Sequence, residues 1–211
     1  MLHATPGSGR RGMLSAVDFD QFWAVIEGAR RDAGDPADAE RVAGQAVALL
    51  SARSAEEIIA AEQRLCELLA GSYQMPLWAA ACVIQGGCSD DGFEYFRGWL
   101  ILQGRRVFEA ALGDPDSLAS HPAVQALAAS PVFAFLECQD ALYIASEAYE
   151  TVVGQQLPED LDLADYPDLD GAWDFKVGDR GGLQRLLPRL VALCWPDPES
   201  GHPALRRTCP C

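Results

Sequence analysis

The chain has 211 residues, 16 of them basic and 31 acidic, which sets a formal net charge of −15 and a pI near 4.4. Apolar residues make up 49% and charged residues 22%, enough for a packed core and too apolar for a disordered chain. The acidity excludes a nucleic-acid partner, which needs clustered Lys and Arg. The longest apolar run, Leu77 to Ile84, falls well short of the roughly 18 to 20 residues of a membrane span.

Residues 1–15 read as a disordered leader, because no apolar stretch of the signal-peptide kind follows Arg10 and Arg11. Met13 is a second candidate start. Helical periodicity begins at Asp18, which forms a capping box with Gln21 ahead of Phe19, Phe22, Trp23 and Ile26. Asp35-Pro36 predicts a cap and an N1 proline for a helix with Ala39, Val42, Ala46, Leu49 and Leu50 on its buried stripe. Ser54 and Glu57 form a second capping box, opening a helix through Ile58, Ala61, Leu65 and Leu68 that stops at Gly71. A short apolar helix runs from Pro76 to Gly86-Gly87.

The next helix is capped by Ser89, Asp90 or Asp91, the last with Glu94 in position for a box. It carries Phe93, Phe96 and Leu100 on one face and ends at Gly104. Shorter helices follow over residues 105–112 and 122–129. Pro131 is expected to open the longest helix of all, through Phe135, Leu136, Leu142, Tyr143 and Tyr149 to about Gly154. Residues 157–182 form an acidic loop with Glu159, Asp160, Asp162, Asp165, Asp168 and Asp170. A last helix, residues 182–194, is kinked or split by Pro188. Residues 196–211 read as an irregular, flexible tail. With almost no strand-like alternation, the expected fold is all-α: one multi-helix bundle over residues 16–195, with Trp23, Phe96 and Phe135 in its core.

The densest run of special residues is GGCSDDGFEYFRGWLILQG, from Gly86 to Gly104. With the entry helix DFDQFWAVIEGAR and Asp114-Pro115-Asp116-Ser117-Leu118, it resembles the uncharacterised bacterial family called domain of unknown function 4240. The likeness extends from Asp18 to about Gly154, with fainter echoes to Trp195, and it implies no reaction and no catalytic residue. Read by physics, the run allows two roles. In the first, Asp91 and Glu94 favour the helix start through its dipole, Trp99 is core, and Arg97 pairs with a carboxylate. In the second, Asp90, Glu94 and Arg97, spaced i, i+4 and i+7, join Asp91 and Trp99 in a binding patch for a protein partner or small ligand.

Other residues offer chemistry of their own. Cys88 lies just before a helix N-terminus, where a thiol pKa can fall, and with His121 it would make a minimal nucleophile pair. Asp140, Glu147 and Glu150 can line a helix face with Asp90 or Glu94, but no Glu-x-x-His motif accompanies them. Cys209 and Cys211 form a terminal Cys-Pro-Cys suited to modification or a soft metal. Cys66, Cys82, Cys138 and Cys194 sit inside apolar patterns, as in a protein of the reducing cytoplasm. Two functions stay open. One is a cytoplasmic binding or regulatory module. The other is an enzyme or modification-pathway component using the Asp90/Asp91/Glu94/Arg97 patch or the terminal thiols. No cofactor and no oligomeric state is legible.

Overall fold

The Asp18 carboxylate accepts the amide of Gln21 at 2.8 Å while the Gln21 side chain takes the Asp18 amide, the reciprocal cap that starts α1 (Phe19–Asp32). In the computed structural model, residues 18–132, 134–169 and 179–195 are described. The leader 1–15, the tail 196–211 with Cys209 and Cys211, and residues 170–178 of the acidic loop lie outside them. Ten α-helices, two 3₁₀ helices and no strand occur among the described residues. No described helix is long and apolar enough to cross a membrane.

Helix α2 spans Ala39–Leu50 and α3 spans Ala55–Gly71, the longest described element. The cap of α2 is Asp38, not Asp35. Asp35 turns its carboxylate onto the Ala37 amide at 2.9 Å, closing a turn around Pro36 and leaving the cap to the next acid. Ser54 and Glu57 close the expected box on α3. Helix α4 (Met75–Gln85) ends at Gly86, whose φ of +76° is open to glycine at little cost. Then follow α5 (Asp90–Leu102), α6 (Arg105–Gly113), a 3₁₀ helix (Pro115–Ser120) and α7 (Pro122–Ala129). A second 3₁₀ helix (Asp140–Leu142) leads into α8 (Ile144–Val153). Pro188 splits the last helical stretch into α9 (Arg180–Leu186) and α10 (Pro188–Cys194).

The core is built around α5. Beyond its first turn nearly every residue is inside: Phe93, Phe96, Arg97, Gly98, Trp99, Leu100, Ile101 and Leu102 are all buried. A helix apolar on every side belongs at the centre of a fold, and α5 touches α1, α2, α3, α4 and α6. Helix α8 packs on α2 and α3. Helix α10 closes the other side against α4 and the Pro115–Ser120 turn. Only the start of α5, with Glu94 and Tyr95 one turn on, reaches solvent.

The expected long helix from Pro131 does not form. Residues 134–138 carry no helical structure, and the helix begins only at Ile144. The reason is competition for backbone groups. The Cys138 amide donates to the Tyr95 carbonyl at 3.0 Å, and the Leu136 amide to the Gln85 side-chain oxygen at 3.0 Å. These tertiary bonds hold the segment extended beside α5, so Phe135 is 50% exposed rather than part of the core. Gly98 permits the approach: a Cβ there would lie 2.7 Å from the Cys138 carbonyl oxygen and 3.1 Å from the Ala141 Cβ. Gly98→Ala is therefore expected to destabilise by about 1 to 3 kcal/mol in denaturant titration. Gly44→Ala, where a Cβ meets nothing within 4 Å of α2, is expected to stabilise by about 0.5 to 1 kcal/mol through helix propensity.

Candidate functional site

The loop between α4 and α5 is pinned before α5 begins. The Trp78 indole N–H donates to the Cys88 carbonyl at 3.1 Å, and the Ser89 hydroxyl accepts the Gly92 amide at 3.1 Å. Ser89 is thus the cap, and Asp91 with Glu94 makes no box. Asp90 and Asp91 stand exposed in the first turn, where the helix dipole favours them. One turn further, Glu94 accepts the Tyr166 hydroxyl at 3.2 Å.

Arg97 follows the same face inward and is only 2% exposed. Its Nη1 donates to the Leu69 carbonyl at 2.5 Å, and its Nε has no hydrogen-bond partner. The expected carboxylate partner is missing: among the described residues no ion pair includes Arg97. Three aromatic faces surround it instead, with Cζ 5.1 Å from the Tyr73 centroid, 5.0 Å from Phe93 and 4.9 Å from Tyr166. Trp78 backs this cage, stacked on Phe93 at 4.9 Å with the planes 8° apart. A guanidinium is weakly hydrated for a cation and binds ring faces, so desolvation here is offset by the rings rather than by an anion.

The i, i+4, i+7 spacing does put Asp90, Glu94 and Arg97 along one side of α5, but at different depths. The carboxylates are outside and the guanidinium inside. Trp99 is not with them; it is buried against Phe96 and meets the His121 ring edge-on at 5.4 Å. Cys88 is half-buried beside Cys82 and accepts a contact from the Gln85 amide at 3.5 Å. The neighbouring Cys82 thiol, followed by burial, pushes the Cys88 thiol far above its ordinary range. A raised thiol pKa is the reverse of what activates a cysteine nucleophile. His121, against Trp99, sits at the opposite end of α5 from Cys88, so the pair does not assemble.

Two polar residues that the sequence did not single out meet the start of α5. Gln85, only 1% exposed, donates to the Glu137 carboxylate at 3.3 Å while its oxygen takes the Leu136 amide. Burial lifts the Glu137 carboxyl above its usual range, and the Gln85 bond opposes that shift. Burial, together with the nearby Asp91, Glu94 and Glu137 carboxylates, holds the Tyr95 phenol above its usual range. Asp90, Asp91, Glu94 and Glu137 join no ion pair among the described residues, whose six bridges lie at Arg53, Arg64, Arg105 and Arg189. No described group of three His, Cys, Asp or Glu side chains is placed to hold a metal ion. A hollow lined by Gln21, Val25, Leu50, Arg53 and Glu57 offers about 20 Å³, room for a water and not for a metabolite.

Comparison with known families decides the kinship. A family model described as "Protein of unknown function (DUF4240)" matches residues 17–151. The chain belongs to the DUF4240 family. No curated protein and no solved structure matches it. The DUF4240 span holds α1 to α7, nearly all of α8, two of the three rings around Arg97 (Tyr73 and Phe93) and the acidic start of α5. Tyr166 and helices α9 and α10 lie beyond it.

One sign for the acidic surface does stand in the sequence. Between Arg106 and Lys176 there is no Lys or Arg, while fourteen Asp and Glu residues occur. That stretch supplies the extended segment, α8 and the acidic loop, and it brings Glu137 and Tyr166 to α5. On α3, Glu62 shows what a lone carboxylate costs away from this surface. Its Oε2 is buried without a partner, and burial raises its pKa against a weak Cys66 contact at 3.8 Å. The folded chain therefore holds this proton to higher pH than the unfolded chain, whose value is near 4.3. Relative stability is greatest below that value and declines as pH rises through the raised folded pKa. Glu62→Gln is expected to raise Tm near pH 8 and to leave it unchanged near pH 4, as read by thermal melts.

Proposed function

We propose that this protein is a non-enzymatic binding module whose working surface lies at the start of α5, and that its partner is a basic, apolar segment of another protein. The withdrawal of Arg97 carries this reading. It leaves Asp90, Asp91 and Glu94 without an ion-pair partner among the described residues, while the segment beside them exposes Val132 (67%) and Phe135 (50%). Tyr143, near Tyr95, is also exposed. Aromatic anchors ringed by charge of one sign suit a partner of the opposite sign: burial of the rings supplies affinity, and the charges speed encounter and fix register. The free thiols Cys66, Cys82, Cys88 and Cys138 support a reducing, cytoplasmic setting.

The test is titration calorimetry with a synthetic amphipathic peptide alternating Arg with Leu and Tyr. Binding that weakens with salt is expected. It should fall by about tenfold or more when Asp91→Asn, Glu94→Gln and Phe135→Ala are combined, since each such loss is worth on the order of 1 kcal/mol. Glu56→Gln, on the distant start of α3, should bind as the wild type does. Equal loss from Glu56→Gln, or none from the triple variant, refutes the assignment.

A further inference from the structure

Residues 157–169 form a non-helical strap carrying Glu159, Asp160, Asp162, Asp165 and Asp168, which reaches the proposed surface at Glu94. Its side-chain contacts to the helices include the Tyr166 bond to Glu94 at 3.2 Å and a peripheral one, the Gln63 amide to the Asp162 carbonyl at 3.4 Å. The Tyr166 ring lies 5.1 Å from Tyr73 and over the Arg97 guanidinium, yet the residue stays 47% exposed.

We infer that this strap is an intramolecular latch: Tyr166 fills an aromatic slot between Tyr73, Glu94 and Arg97 that a partner's tyrosine occupies when the strap lifts. The inference rests on the proposed reading of the α5 surface as a docking site for a basic segment. Three observations support it. The slot calls for a ring, because Arg97 is only 2% exposed, its Nε is unpartnered and, apart from the Nη1 bond to the Leu69 carbonyl, its charge is faced by the Tyr73, Phe93 and Tyr166 rings. Its closure is opposed, because a strap carrying five carboxylates, two of them Asp165 and Asp168 beside Tyr166, is held at Glu94 on a helix start that also carries Asp90 and Asp91, and no described ion pair relieves these acids. A basic segment entering between strap and helix is attracted by both, and its tyrosine can replace Tyr166. Finally, Tyr73, Glu94 and Arg97 lie within the DUF4240 span, and Tyr166 lies outside it. The receptor belongs to the shared domain, and the plug to the chain that follows.

The experiment uses the full chain and two synthetic basic peptides, one with a single tyrosine and one with alanine in its place. A latch closed most of the time lowers apparent affinity by the fraction of open molecules, so Tyr166→Ala should bind the tyrosine peptide about tenfold more tightly than wild type. The alanine peptide should gain far less. If Tyr166→Ala and wild type bind the tyrosine peptide equally, the latch is wrong and the docking surface stands. If neither binds, the docking surface falls and the latch with it. Hydrogen exchange on the wild type gives a second reading that does not depend on how the variant folds. Amides of residues 159–168 should exchange faster once the tyrosine peptide is bound; unchanged or slower exchange overturns the proposal.

Discussion

Arg97→Ala is expected to lower stability by about 3 to 5 kcal/mol, the range for removing a large, fully buried side chain. The residue is 2% exposed, and its loss opens a cavity among Tyr73, Phe93 and Tyr166 while stripping the Leu69 carbonyl of a donor. An exposed ion pair would have cost about 1 kcal/mol or less. Arg97→Met separates packing from charge. If the rings alone balance the guanidinium, a flexible apolar side chain of similar length should recover most of the loss, because a buried charge without an anion is costly to keep. Chemical denaturation of the two variants decides this. Equal and severe losses would mean that the charge itself holds the site together.

Asp116→Ala is expected to cost about 2 to 4 kcal/mol, the effect of losing hydrogen bonds from two helix-terminal amides to a buried carboxylate. Asp116 is 5% exposed. One of its oxygens accepts the Arg189 amide and the Arg189 Nε, each at 3.0 Å, and the other accepts the Leu190 amide at 2.8 Å. These amides open α10, which has no side-chain cap of its own because Leu187 occupies the cap position. A residue 73 positions away in sequence thus caps the helix that closes the core. Arg189→Ala removes only a half-exposed side chain and should cost much less than Asp116→Ala. Asp116→Asn, which keeps one acceptor oxygen, should fall between them. If the Arg189 variant proves the more damaging, the guanidinium rather than the helix cap anchors α10.

These two residues also show how far the sequence can be read. Asp116 lies inside the Asp114–Leu118 run, within the DUF4240 span, yet nothing local says that it serves α10, because its partners come from the far end of the chain. Arg97 is legible as the one cation in an acidic helix, so pairing with a carboxylate is the natural expectation. Its preference for three rings depends on Tyr73, in the loop after α3, and Tyr166 from the strap arriving at the same point. Gln85 and Glu137 escaped notice for a similar reason. Glu137 falls in a stretch whose pattern reads as helix, and Gln85 reads as the tail of an apolar one.

What the sequence determined by itself is the set of elements whose signals are local. The capping boxes at Asp18 and Ser54, the αL stop at Gly86 and the break at Pro188 each act within a few residues, and each appears in the structure where the pattern puts it. The all-α class and the family follow from the same kind of signal. Tertiary structure alone decided the fate of residues 134–138, whose periodicity is helical. The Cys138 amide is taken by the Tyr95 carbonyl and the Leu136 amide by the Gln85 side chain, and Gly98 leaves out a Cβ that would lie 2.7 Å from the Cys138 carbonyl oxygen. Tertiary structure also set the depths of Glu94 and Arg97. Spacing on a helix fixes the direction in which a side chain points, whereas burial depends on which neighbours pack over it.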